Sequence, residues 1–109
     1  MIPTYTPSRS MEWIRYVDKG RTYLDHGEFQ KAIAEFDKAI EIDPNGTTHD
    51  RSGIAYYLRG MCYARLDDLN AAARDFRRAW LIDQKLMYYE AMEKAIDELG
   101  RRGLPYLEQ

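Results

Sequence analysis

Two kinds of side chain in this sequence could carry out nucleophilic catalysis: a single cysteine, Cys62, and two histidines, His26 and His49. A catalytic thiol needs a neighbouring base or positive group that lowers its pKa. The predicted secondary structure places Cys62 on the side of a helix, His26 in a turn and His49 in a loop. Because nothing in that arrangement brings a base to the thiol, we expect Cys62 to be buried and inert, and the chain not to be an enzyme.

The segment 43–50 could bind a cation, because it supplies carboxylate, amide and hydroxyl oxygens. A calcium loop also needs a glutamate at a fixed distance downstream, and this segment has Pro44 and no such glutamate. A lone cysteine likewise argues against a cysteine-based metal site. We therefore expect a solvated connector here, no metal and no cofactor.

Basic side chains cluster late in the chain, where Arg74, Arg77 and Arg78 could form a strip with Arg101 and Arg102. Acidic residues lie close to them in sequence, and the net charge of the whole chain is −2. This balance favours a mixed, solvated face, and it gives no electrostatic case for nucleic-acid binding.

The sequence contains no apolar run of about 18 residues, the length that a membrane-spanning helix needs. Residues 1–11 also lack the apolar centre of a signal peptide, and the lone cysteine fits a reducing compartment. We expect a cytoplasmic protein without a membrane partner.

The elements that would position all these side chains follow from an internal repeat. Two patterns, one of tyrosine and glycine and one of alanine and phenylalanine, each return after 40 residues. The first is Tyr16-x3-Gly20-x2-Tyr23, which returns as Tyr56-x3-Gly60-x2-Tyr63; the second is Ala32-x3-Phe36-x2-Ala39, which returns as Ala72-x3-Phe76-x2-Ala79.

Each repeat is predicted to contain two helices, and a fifth helix follows them. We expect Ser10, either Asp50 or Ser52, and Asp83 to cap the first, third and fifth helices. The predicted helices are 11–25, 28–42, 53–66, 69–82 and 84–99, and Gly100 and Gly103 end the last. The expected units are an extended segment 1–10, repeat one at 11–46, a loop insertion at 47–52, repeat two at 53–83, a capping helix at 84–100 and a tail at 101–109 that is loose from Leu104 onwards.

The repeated glycines lie in the middle of helices, where glycine costs about 1 kcal/mol relative to alanine. That cost is tolerable if a facing helix comes unusually close at Gly20 and Gly60. Phe36 and Phe76 would then fill the space beside each close contact. The recurrence therefore predicts helix packing within each repeat.

This pattern resembles the tetratricopeptide repeat, whose consensus W-x2-L-G-x2-Y, A-x3-F and P has a period of about 34 residues. Departures from it are Lys19 and Arg59 in place of leucine, Gln84 in place of proline, and about six extra residues between the repeats. The resemblance implies an all-α fold, a short right-handed α-solenoid of two helix-turn-helix repeats closed by an amphipathic helix. It also implies a module that binds a protein or peptide partner.

The two ends of this solenoid are expected to be closed. The lateral stripe of the first helix is polar, whereas the matching stripe of the third helix is mostly small or apolar. The last helix has one apolar and one polar face, as a terminal helix needs. The compared stripes are Arg15, Lys19, Thr22 and His26 in the first helix, and Ala55, Arg59, Cys62 and Leu66 in the third.

In tetratricopeptide proteins the leading helices line a concave groove that takes a peptide, and the resemblance assigns the same role to this chain's first and third helices. Tyr57, Met61, Arg21 and Arg65 are the foremost contact candidates, because aromatics, methionine and arginine concentrate at interfaces. The complete predicted groove consists of Ile14, Val17, Arg21, Leu24, Ile54, Tyr57, Leu58, Met61 and Arg65.

Two alternatives remain open at this stage. The last helix could fill the groove and make it ordinary core. The chain could instead self-associate as a homodimer, for example by exchanging that helix between two copies. A third use, gripping the terminal carboxylate of a chaperone tail, is disfavoured because Val17, Arg21 and Leu58 stand where that subfamily has lysine and asparagine.

Overall fold

A computed structural model of the chain describes residues 8–47 and 52–108. The described residues form five α-helices and no strand, which confirms the all-α fold. None of these helices is both long and apolar enough to cross a membrane. The helices are α1 (Arg9–Asp25), α2 (Phe29–Ile42), α3 (Ile54–Arg65), α4 (Leu69–Asp83) and α5 (Leu86–Arg101).

Two predicted N-caps are wrong. Ser8, and not Ser10, caps α1: its hydroxyl accepts a hydrogen bond from the Met11 N–H at 3.1 Å, and Ser10 lies inside the helix. The extended segment predicted over 1–10 therefore ends before Arg9, and residues 1–7 lie outside the described part. Asp83 is the last residue of α4, and its Oδ2 accepts from the Gly53 N–H at 3.3 Å.

The start of α3 matches only part of the prediction. Gly53 occupies the cap position and has no side chain to offer. The hydroxyl of Ser52, one residue earlier, accepts from the Ile54 N–H at 3.2 Å. The other predicted cap, Asp50, lies outside the described residues, as does most of the predicted loop insertion.

The two repeats end their leading helices with the same backbone turn. Gly27 at φ 75° and Asp67 at φ 64° both adopt the left-handed conformation. In each turn, the N–H of the next residue returns to a tyrosine carbonyl: Glu28 to Tyr23 at 2.9 Å, and Asp68 to Tyr63 at 2.8 Å. This bonding satisfies carbonyl groups that the end of a helix would otherwise leave free.

Each mid-helix glycine makes room for an aromatic ring. A Cβ added to Gly20 would lie 2.5 Å from Cε1 of Phe36, and one added to Gly60 would lie 2.7 Å from Cε1 of Phe76. The predicted glycine–phenylalanine contact is confirmed, although the close neighbour is a side chain and not a helix backbone. Backbone approaches most closely at Gly53, where an added Cβ would lie 2.7 Å from the Ala79 carbonyl oxygen.

The helices stack as a short array. Helix α2 packs against α1 and α3, and α4 packs against α3 and α5. Helix α5 therefore holds the position relative to α4 that α3 holds relative to α2, and it does not lie over α1. Ala55 and Cys62 lie on the lateral stripe of α3, which was predicted to meet the preceding repeat. Both belong to the same buried cluster as the core residues of the first repeat.

The beginning of the inter-repeat loop is partly buried. Asp43 is 5% exposed, and its Oδ1 accepts from the Thr47 N–H at 2.9 Å. The Tyr56 hydroxyl donates to the Pro44 carbonyl at 2.7 Å. The described part of the loop, 43–47, is therefore attached to α3 at Pro44, while Pro44, Asn45 and Thr47 are exposed, as expected of a solvated connector.

The tail after α5 is not loose as far as residue 108. Helix α5 continues through Gly100 and ends at Arg101, and Gly103 at φ 71° turns the chain. Leu107 then donates its N–H to Asn70 Oδ1 at 2.6 Å, which fixes the tail to α4. Half-buried Tyr106 packs against the cluster of Ala72, Ala73 and Phe76.

Candidate functional site

Two clefts open beside the leading helices α1 and α3. The first, of about 440 Å³, lies between α1, the start of α3 and the residue before α5. The second, of about 340 Å³, lies between the end of α3, α4 and α5. We call the two together the inner groove. The first cleft is lined by Trp13, Ile14, Val17, Asp18, Arg21, Ser52, Ile54 and Lys85; the second by Ala64, Leu69, Phe76, Ala91, Lys94, Ala95, Glu98 and Arg101.

The first cleft combines apolar and basic groups. Ile14 is 37% exposed, which is high for a large apolar side chain on a helix that packs against another. Arg21 and Lys85 at its edges are exposed, and Asp18 is the acidic residue among its lining. The cleft therefore offers an apolar contact with a net positive rim.

The second cleft exists because small side chains stand on both of its walls. Ala64 on α3 faces Ala91 and Ala95 on α5, and the ring of Phe76 forms part of the lining between them. Alanine leaves space where a leucine would fill it, so a partner's apolar side chain can enter. The cleft was not predicted from the sequence, because only a capping role was expected of α5, although its alanines spaced one turn apart were a visible signal.

The rim of the second cleft is basic once its own ion pairs are considered. Glu98 accepts from Arg102 Nε at 3.1 Å and from Arg101 Nε at 3.2 Å. These hydrogen bonds, that from Arg102 first, lower the pKa of Glu98 and keep it ionised. Because one carboxylate serves two guanidinium groups, Lys94 and part of the charge of Arg101 remain for a ligand.

The structure divides the predicted groove residues other than Arg65 into three groups. Ile14, Val17, Arg21 and Ile54 come together in the first cleft, although Val17 is only 4% exposed and lies at its base. Leu58, at 7% exposure, belongs to the core and lines neither cleft. The half-buried residues that pack against the core are Leu24, Tyr57 and Met61.

Two of the foremost candidates have structural contacts of their own. The ring of Tyr57 lies 4.9 Å from that of Tyr88 and 5.6 Å from that of Phe76, so it joins α3 to α4 and α5. The guanidinium of Arg65 lies over the ring of Phe29, 5.0 Å from its centroid. Removing the ring of Tyr57 would therefore disturb packing between three helices as well as any binding.

The residues considered for nucleophilic chemistry are not assembled. Cys62 is fully buried, as expected, and burial raises the pKa of its thiol to about 11. His26 is exposed, and its Nδ1 lies 2.8 Å from the Thr22 carbonyl oxygen on its own helix. The thiol is therefore protonated at neutral pH. His49 lies outside the described residues.

The arginine strip is divided among several partners. Arg74 and Arg77 contact the tail, Arg102 pairs with Asp67 at 2.9 Å, and Arg78 lies over the ring of Tyr56. The surface is mixed in charge, as predicted, but Asp75 does not pair with these arginines: it pairs with Arg59.

Comparison with known proteins gives consistent matches to one kind of repeat. A family model described as tetratricopeptide repeat matches residues 14–45, and a second model of the same description matches residues 54–86. The first range covers α2 and all but the first five residues of α1, and the second covers α3 and α4.

Relatives among curated proteins are far longer than this chain. Tetratricopeptide repeat protein 16 of Macaca fascicularis and that of Homo sapiens are each 29% identical to it over 69 residues. The match covers 63% of this chain but only 7% of each relative. No solved structure is a significant match.

Proposed function

Since the chain belongs to the tetratricopeptide repeat family, whose repeats generally mediate protein–protein interactions, we propose that it is a non-enzymatic module that binds a protein or peptide in its inner groove. The observation that carries this proposal is the second cleft, an apolar space between α3 and α5 beside a basic rim. Helix α5 supports it too: it packs against α4 and against Tyr57 of α3, but it does not lie over α1, so the first cleft stays open.

The chemistry of the groove favours an acidic partner with apolar anchors. Exposed cations stand along both clefts, whereas Glu98 is already paired with two arginines. A partner carboxylate near the rim would be attracted, and an apolar side chain would be desolvated in the second cleft. The exposed groove cations are Arg21, Lys85, Lys94 and Arg101.

Peptide selection with the full chain tests the proposal. Peptides selected from a random library on immobilised wild-type protein should be rich in acidic and large apolar residues. Ile14→Glu combined with Lys94→Glu should weaken their binding by at least about tenfold, roughly 1.4 kcal/mol. Arg15→Glu is the matched control, because Arg15 is an exposed arginine of α1 that lines neither cleft.

Nuclear magnetic resonance locates the bound peptide independently of affinity. A selected peptide should shift amide signals of α1, α3 and α5 more than those of α2. Unchanged binding to the Ile14→Glu, Lys94→Glu variant, with circular dichroism showing it folded, would exclude the inner groove. We prefer these exposed positions to Tyr57 and Met61, whose removal would also disturb the core.

A second candidate function is self-association. The first turn of α5 exposes three large apolar side chains: Leu86 at 65%, Met87 at 48% and Tyr89 at 37%. Such a patch on a small protein favours a partner surface, and a second copy of the chain is one candidate. Light scattering after size exclusion should then show a dimer that Leu86→Ser with Met87→Ser dissociates; a monomer at all concentrations contradicts this candidate.

A further inference from the structure

One stripe of α4 holds an extended segment of the chain. The stripe, which we call the outer stripe, consists of Asn70, Arg74, Arg77 and Leu81, spaced about one turn apart. It lies on the side of the helix away from Phe76 and Ala79, which face α3. Residues 104–108 run along it, so the stripe is already a peptide-binding surface within the molecule.

The outer stripe contacts mainly the backbone of this segment. The Asn70 amide donates to the Pro105 carbonyl at 3.3 Å and accepts from the Leu107 N–H at 2.6 Å. Arg74 Nη1 donates to the Leu107 carbonyl at 3.1 Å. One asparagine thus satisfies a carbonyl and an N–H two residues apart, as a neighbouring β-strand would, and selects extended backbone of any sequence.

Two side chains of the segment add specificity. Tyr106 packs against the buried cluster to which Ala72 and Ala73 of α4 belong, and its hydroxyl is buried. The carboxylate of Glu108 pairs with Arg77 Nε at 2.5 Å. A peptide that fits the outer stripe is therefore extended and has an aromatic residue followed two positions later by a carboxylate.

The first repeat shows that this surface is not a general property of the fold. Forty residues earlier, α2 carries Gln30, Ala34, Asp37 and Glu41 at the equivalent positions. Neither arginine is present there, and the two acidic residues would repel a peptide carboxylate. Asp37 is moreover engaged by Arg59. The binding groups are thus specific to α4.

The bound segment is held loosely enough to leave. Leu104 and Leu107 are 51% and 56% exposed, and both partners of the Arg77–Glu108 pair are about half exposed. Exposed ion pairs of this kind contribute little to stability. An adjoining cleft of about 200 Å³ also brings a third guanidinium, that of Arg78, close to the single carboxylate of Glu108. The site therefore carries more positive charge than its present occupant neutralises.

We propose that the outer stripe of α4 is a second binding site, separate from the inner groove, for an extended acidic peptide with an aromatic residue two positions before a carboxylate. Residues 104–108 occupy it as an internal ligand, and a partner peptide of the same chemistry displaces them. The inference does not rest on the function proposed for the inner groove, because no residue of the outer stripe lines either of its clefts.

The test is a nuclear magnetic resonance titration of the full-length ¹⁵N-labelled chain with the capped peptide Leu-Pro-Tyr-Leu-Glu. Tyr106→Ala with Glu108→Ala weakens the internal ligand, so this variant should bind the peptide about tenfold more tightly than the wild type does. Adding Asn70→Ala should remove that gain. Adding Gln30→Ala instead is the matched control and should retain it.

Three results would overturn the proposal: no binding to any variant, equal binding to the Asn70→Ala and Gln30→Ala versions, or equal binding of a peptide carrying Tyr106→Ala. Hydrogen exchange on the wild-type protein gives a readout that needs no variant. Excess peptide should speed exchange of the Leu107 amide, because displacement removes its acceptor on Asn70. Unchanged protection at saturating peptide would also contradict displacement.

Discussion

Arg59 and Asp75 form a bidentate ion pair between α3 and α4, with Nε–Oδ2 and Nη2–Oδ1 both at 2.8 Å. The remaining terminal nitrogen, Nη1, reaches Asp37 Oδ1 on α2 at 2.8 Å. One guanidinium therefore joins both helices of the second repeat to the first. This explains why arginine stands at a position where the consensus has leucine.

Replacing this arginine by the consensus residue should destabilise the protein. Asp75 is 4% exposed, so Arg59→Leu leaves a buried carboxylate without its partner. We expect a loss of about 3–5 kcal/mol in the free energy of unfolding, measured by urea denaturation. Arg59→Leu with Asp75→Leu should recover most of it. Lys19→Leu, the equivalent change at an exposed site, should change the free energy of unfolding by no more than about 0.5 kcal/mol. An equally large loss in Lys19→Leu would show that the Arg59–Asp75 ion pair is not the cause.

The cost of Arg59→Leu should depend on pH. Burial raises the pKa of Asp75 even with Arg59 beside it, and Arg59 acts in the opposite direction. Without the arginine the native pKa rises further, so the native state binds the proton more tightly than the unfolded chain does. At low pH Asp75 is protonated and no charge is buried, so the variant keeps this part of its stability. The variant loses it as the pH rises through the native pKa of Asp75, because the buried carboxyl group must then ionise. The difference from wild type should therefore be smaller at pH 4.5 than at pH 7.5; a constant difference would contradict the assignment.

The first repeat has the acid of this arrangement without the arginine. Glu35, 40 residues before Asp75, is 7% exposed, and its Oε2 has no hydrogen-bond partner among the described residues. Its other oxygen lies 3.6 Å from Lys38 Nζ. Lys19→Arg should supply the missing guanidinium and stabilise the protein by about 0.5–1.5 kcal/mol. In a Glu35→Ala background the same change should give no gain, which a double-mutant cycle by thermal denaturation would measure.

Sequence reasoning succeeded where a residue's role depends on helical spacing. The recurrence of Gly20 and Phe36 as Gly60 and Phe76 predicted both the helix pairs and the contact within each. It failed where a contact depends on the folded path of the chain. Asn70 and Leu107 are joined only because Gly103 turns the tail back onto α4, and no local pattern encodes that return.

The candidate groove was predictable in part for the same reason. Ile14, Arg21 and Ile54 line one cleft, as their helical period predicted, although their role in binding stays a prediction. Ala91 and Ala95 were not predicted to line the second cleft, because their position there depends on how α5 packs against α4. Asp83 was assigned to the wrong helix because an aspartate after an apolar run resembles a cap, whereas here it accepts from Gly53 across the repeat.

The repeated glycines should not tolerate alanine despite its higher helix propensity. An added methyl group at Gly20 or Gly60 would lie within 3 Å of a phenylalanine ring held in the core. We expect Gly20→Ala and Gly60→Ala each to cost about 1–3 kcal/mol. Gly100→Ala is the control: it is helical with nothing within 4 Å, and should stabilise by about 0.5–1 kcal/mol. Equal effects at all three positions in thermal denaturation would mean that the rings move aside freely.

The link between α4 and α5 contains a strained residue. Gln84 has φ 51° and ψ 39°, the left-handed conformation, and its side chain is exposed. Proline, the consensus residue here, cannot adopt a positive φ, which explains its absence. Gln84→Gly should stabilise by about 0.5–1 kcal/mol, since glycine reaches this conformation without the steric cost. Gln84→Pro should destabilise by at least as much and loosen α5. Gln30→Gly, at an exposed position within α2, should instead destabilise the protein. Thermal denaturation of the three variants therefore separates relief of backbone strain from a general effect of glycine. A loss of stability in Gln84→Gly would exclude backbone strain at Gln84.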